Sequence, residues 1–117
     1  MNLNNVMIGT EDAPKLAAFY TKMFGDPAWD EGGYTGWQIG TGGLMVGPHD
    51  AVKGQNAEPG RMLCNIETTD VQADFERLRD AGATVVAEPY KPRDDNEMLV
   101  ATLADPDGNY FQLVSPM

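Results

Sequence analysis

Few side chains in this 117-residue chain could carry covalent or proton-transfer chemistry. Cys64, the one cysteine, stands beside Leu63 and close to Ile66, a setting that favours a buried, inert thiol over a nucleophile. A single cysteine also rules out an intrachain disulfide and a cysteine-based zinc cluster. His49, the one histidine, lies in the polar stretch GPHDAV, where a solvated imidazole is expected. No Ser/His/Asp set presents itself for nucleophilic catalysis. The glycines of GGYTG and GTGG lack the strand–GxGxxG–helix setting of a phosphate loop and read as turns. What remains is a set of amides and carboxylates that could orient a ligand, with Glu67 and Tyr110 as candidates for acid–base work. Gln112 stands out among them. It sits in TLADPDGNYFQLVSP, where Asp105-Pro106-Asp107-Gly108-Asn109 has turn chemistry and Tyr110 to Val114 alternates as a strand.

The elements that must position these groups occur twice. Ile8-Gly9-Thr10-Glu11-Asp12 and Ile66-Glu67-Thr68-Thr69-Asp70 each end a short apolar alternation, with Asp12 and Asp70 placed as helix N-caps. Pro14 falls early in the first helix, where its missing N–H does no harm. The helices APKLAAFYTKMFG and VQADFERLRDAG follow. Leu16, Phe19, Tyr20 and Met23 recur at helical spacing in the first, and Val71, Phe75 and Leu78 in the second. Gly25 and Gly82 close them. Strands are expected over 28–30, 34–39 and 44–46, and again over 84–87, 98–103 and 110–114. The stretch 47–60, rich in Pro, Gly and polar residues, reads as a linker. The chain is therefore βαβββ repeated once at an offset of about 58 residues. The α+β reading gives one domain over 1–117, with module 1 at about 1–50 and module 2 at about 60–117.

Composition narrows the partners. The formal net charge is −10, from 18 acidic and 8 basic residues, a field that repels nucleic-acid phosphates and anionic lipid. The N-terminal MNLNNVMIGTED has no basic n-region or continuous apolar stretch, and no apolar run approaches the roughly 20 residues of a spanning helix. A cytoplasmic protein without membrane or nucleic-acid partners is expected.

The βαβββ duplication, the opening NNVMIGTEDAPKLAAFY and the tail DPDGNYFQL together resemble the vicinal oxygen chelate superfamily, which includes glyoxalase I, extradiol dioxygenases and the bleomycin- and fosfomycin-resistance proteins. The resemblance covers essentially the whole chain. It implies two curved mixed sheets forming an open cup, often completed by a dimer partner. It also implies four metal positions, on the first and last strands of each module, where metal-dependent members carry His, Glu or sometimes Gln. Matched residue by residue, those positions here are Asn5, Met45, Leu63 and Gln112. Divalent ions need several imidazole or carboxylate donors at once. Leu63 has no lone pair, two of the others are neutral amides, and one thioether cannot hold a metal, so no metal and no cofactor are expected.

Strand alternation then assigns the cup lining. Asn5 and Met7 come from the first strand, Trp37 (or Gln38) and Met45 from later strands of module 1. Leu63, Asn65 and Glu67, Val100 and Thr102, and Tyr110 and Gln112 come from module 2. Apolar walls with a few orienting polar groups make a small-molecule site. Enclosure of Glu67 by Leu and Met would raise its pKa and suit it to act as a base. The expected function is metal-free binding of a hydrophobic or aromatic small molecule by a homodimer. The alternative is a glyoxalase-like lyase or other enzyme that uses Glu67 or Tyr110 without a metal.

Overall fold

Two threonine–aspartate pairs start the two helices in the same way. The Thr10 hydroxyl accepts from the Asp12 N–H at 3.1 Å, and the Thr68 hydroxyl accepts from the Asp70 N–H at the same distance. The Asp12 carboxylate then accepts from the Lys15 N–H at 3.2 Å, and Asp70 from the Ala73 N–H at 3.0 Å. Each device satisfies an amide that a helix start leaves without a partner. In the computed structural model, which describes residues 1–116, the duplication therefore extends to individual hydrogen bonds.

The contacts divide the chain into two compact units, Met1–Gly54 and residue 55 onward. The first runs β1 (Val6–Thr10), α1 (Ala13–Phe24), β2 (Trp29–Glu31), β3 (Tyr34–Ile39) and β4 (Gly42–Pro48). Its sheet has the order β1-β4-β3-β2, with β1 parallel to β4 and the other pairs antiparallel. The second runs β5 (Cys64–Glu67), α2 (Val71–Asp80), β6 (Thr84–Tyr90), β7 (Val100–Ala104) and β8 (Tyr110–Val114), with the matching order β5-β8-β7-β6. Both sheets are open and mixed.

Each helix buries the face its sequence spacing marks out. Leu16, Phe19, Tyr20 and Met23 of α1 are buried, as are Val71, Phe75 and Leu78 of α2. In the first unit α1 lies on the sheet face that carries Leu44 and Val46, 6% and 0% exposed. In the second, Phe111, Leu113, Ala101 and Leu103 fill the corresponding layer, each no more than 2% exposed. Among the described residues, no helix is long and apolar enough to cross a membrane.

Several strand boundaries differ from the sequence reading: β2 is shifted by one residue to Trp29–Glu31, and β4 starts at Gly42 and not Leu44. β4 extends to Pro48 and so takes the start of the expected linker. β6 continues past Ala87 through Glu88, Pro89 and Tyr90. It is an edge strand, and its pairing with β7 shifts register twice, between Val85 and Ala87 and between Ala87 and Tyr90. An edge strand with irregularities tolerates a proline that donates no ladder bond. β7 starts at Val100 and not Met98, although Leu99 and Ser115 still exchange hydrogen bonds.

The DPDGN segment is a structural knot. The Asp105 carboxylate, on a residue 3% exposed, accepts from the Asp107 and Asn109 N–H groups and from Asn109 Nδ2. Gln55 and Asn56 bind the outside of the same turn, through Gln55 Nε2 to Pro106 O at 2.7 Å and Asn56 N to Asp107 O at 2.8 Å.

Candidate functional site

With one face of each sheet taken by a helix, the opposite face is where functional side chains can gather. Residues paired across a ladder point the same way, so register sorts them. In the second unit Asn65 pairs with Gln112, and Gln112 with Thr102. These three form one polar row opposite α2. Its centre is tied together: Gln112 Nε2 donates to Thr102 Oγ1 at 3.0 Å. One neighbouring row holds Glu67, Val114, Val100 and Tyr90, and the other brings Tyr110 beside Ala104. Leu63, two residues before Asn65, is 42% exposed. Val100 and Thr102 are buried, Tyr110 and Gln112 half-buried, and Asn65 and Glu67 exposed. The arrangement is an amide–hydroxyl pair flanked by valines and a tyrosine, able to orient a small molecule by its amide oxygen. Glu67 lacks the enclosure by Leu and Met that its sequence neighbourhood suggested.

In the first unit Met7 pairs with Met45, and Met45 with Gly36, on the face opposite α1. Asn5 lies just before β1 with its Cβ beside Gly43, and its Nδ2 donates to Asn4 Oδ1 at 2.6 Å. Trp37 is a correction. It pairs with Leu44, is 3% exposed, meets the Tyr20 ring at 6.1 Å, and donates from Nε1 to Gly25 O at 3.0 Å. All of these are on the helix side, so Trp37 belongs to the core, and its neighbour Gln38 takes the opposite face.

Two aromatic residues occupy the space assigned to Trp37. Trp29 pairs with Gly36 across β2 and β3, and a methyl group on Gly36 would collide with the indole. Tyr34 covers Gly47 in the same way, with the Met7 methyl alongside. The signal was present as Gly36, Gly43 and Gly47, glycines inside strands, which mark a close approach of another group. His49 stands at the end of this sheet, packed by its Cβ over Gly9, and its Nδ1 accepts from the Ala51 N–H at 3.1 Å. It shapes a turn.

A divalent metal does not fit these residues. Asn5, Met45, Leu63 and Gln112 supply no imidazole and no carboxylate, only two neutral amides and one thioether. Among the described residues, no three His, Cys, Asp or Glu side chains are grouped to hold an ion. Cys64 is half-buried, and burial pushes its thiol up from 9.0, away from the reactive thiolate.

Two βαβββ units, each with one free sheet face, define the glyoxalase-type class of fold. The glyoxalase-like domain model matches residues 5–114, and the chain belongs to that family. It is similar to a glyoxalase-related enzyme from Fulvimarina pelagi (22% identity, 98% of this chain and 88% of that one, TM-score 0.77). It is also similar to a glyoxalase/bleomycin resistance protein/dioxygenase family enzyme from Burkholderia phytofirmans PsJN (22% identity, 100% of both chains, TM-score 0.78). The fosfomycin resistance protein FosX of Listeria monocytogenes shares the fold at 18% identity, over 100% of this chain and 94% of that one, with a TM-score of 0.72. No curated protein matches the chain. At these identities the structural likeness establishes the fold alone.

Proposed function

We propose that this family member binds a small hydrophobic or aromatic molecule on the helix-free faces of its sheets and does so without a metal. The observation that carries the reading is the donor set. Where metal-dependent relatives of this fold class are expected to have His and Glu, this chain has Asn5, Met45, Leu63 and Gln112, on faces otherwise lined by Met7, Val100, Val114 and Tyr110. Such faces suit apolar contact with a few orienting hydrogen bonds. Asn65, Thr102 and Gln112 would provide those bonds, and the exposure of Glu67 favours binding over proton transfer. A homodimer is part of the proposal. The outer strands β1, β2, β5 and β6 leave ladder groups unpaired, and association is a common way to cover them.

The test is melting of the full chain against a panel of small aromatic and aliphatic compounds and of Mn²⁺, Ni²⁺, Zn²⁺ and Fe²⁺. A ligand at about 100 times its Kd should stabilise the protein by about 2.7 kcal/mol. The proposal expects that response from an organic compound and not from the ions. A response to metals alone would overturn it.

A further inference from the structure

We propose that the helix-free face of the first sheet is a subsite for a small organic cation, with its flat apolar part on Trp29 and Tyr34 and its charge answered by Glu31. This rests on the reading of that face as a binding surface and gives the chemical class of its ligand. Register places the three residues together. Trp29 pairs with Gly36, and Tyr34 pairs with Glu31, so all three side chains share the face opposite α1. The glycines act as a floor. Gly36 and Gly47 lie beneath the two rings, leaving no room for even a methyl group. Each ring therefore rests on backbone and keeps its other side free: Trp29 is 45% exposed and Tyr34 38%. Met7, 37% exposed with its methyl close to Gly47, adds a soft wall.

Packing an aromatic ring over a strand glycine stabilises a sheet by itself, but it does not account for the charge pattern. None of β1, β2, β3 or β4 contains a lysine or arginine, whereas β2 contains Asp30 and Glu31. Asp30 accepts from the Thr35 hydroxyl, a residue 7% exposed, and alternation turns it away from the rings. Glu31 is exposed and alternates onto the same side as the rings. Ring faces carry negative potential and attract cations, and a carboxylate within the same few ångströms adds to that attraction. An anion or a neutral polar molecule gains from neither.

The probe is N-methylquinolinium, compared by calorimetry with neutral quinoline on the full chain at neutral pH. The cation should bind about threefold to thirtyfold tighter than the neutral ring. Glu31→Gln should remove most of that preference, and added salt should weaken the cation alone. Trp29→Leu should weaken both probes. Circular dichroism would check that each variant is folded, and Glu31→Gln, at an exposed site, keeps the test available if Trp29→Leu is not. Equal binding of the two probes, or a cation preference unchanged in Glu31→Gln, overturns the cation assignment. If both probes bind equally and Gln112→Leu weakens both, the binding reading stands and only the cation assignment falls. If neither binds, the cation assignment falls, and the binding reading is decided by its own compound panel.

Discussion

Replacing Gln112 by leucine separates what that residue does for the fold from what it does for a ligand. The change removes the Nε2 bond to the Thr102 hydroxyl, 3.0 Å long, beside a threonine 6% exposed. A neutral hydrogen bond of this kind contributes about 0.5–1.5 kcal/mol net. Leucine fills a similar volume and gains some apolar contact with Val100 and Val114, which keeps the loss from reaching the top of that range. About 1 kcal/mol corresponds to a fall in Tm of about 3–6 °C for a chain of this length. Thr102→Val removes the other half of the pair. The double variant should then lose less than the sum of the singles, with a coupling of about 0.5–1.5 kcal/mol from denaturant titrations. A ligand bound through the Gln112 oxygen should lose a further tenfold or so in affinity. Zero coupling between positions 102 and 112, with ligand affinity unchanged in Gln112→Leu, would refute the placement of a binding row there.

Other positions offer sharper structural tests. Gly36→Ala should push the Trp29 indole off the sheet, cost about 1–3 kcal/mol of stability, and shift tryptophan emission, which fluorescence and denaturant titration would report together. Asp105→Ala strands the Asp107 and Asn109 donors of a half-buried turn and should cost about 1–3 kcal/mol, read by thermal melting. Because burial raises the Cys64 thiol, alkylation at mildly alkaline pH should be slower in the folded chain than in urea. The folded state should also lose stability as pH rises past the unfolded thiol's value, where only the unfolded chain ionises freely.

Much of the fold is legible locally. Thr10 and Asp12, like Thr68 and Asp70, announce a helix start through side-chain bonds spanning two or three residues, and helix faces follow from a fixed spacing. The strands harbouring Met45 and Gln112 are legible for the same reason, since each is phased by buried neighbours on both sides, Leu44 and Val46 in one and Phe111 and Leu113 in the other. Trp37 shows where this stops. Alternation alone allows either phase, an aromatic ring suits either face, and only its pairing with Leu44 on another strand decides. The same holds for Thr102 as the partner of Gln112, and for Trp29 and Tyr34 over Gly36 and Gly47. These contacts are set by register between strands, which no local pattern encodes. β6 ran longer than expected because Pro89 reads as a breaker, yet it costs little on an edge.

The central claim is that binding needs no metal, and calorimetric titration of the best compound from the panel tests it directly. The titration would be run on protein as purified, on chelator-treated protein, and on treated protein given one equivalent of Mn²⁺, Ni²⁺, Zn²⁺ or Fe²⁺. The account predicts one Kd and one stoichiometry in all three cases. Binding that disappears with the chelator and returns with a single equivalent of metal would contradict it.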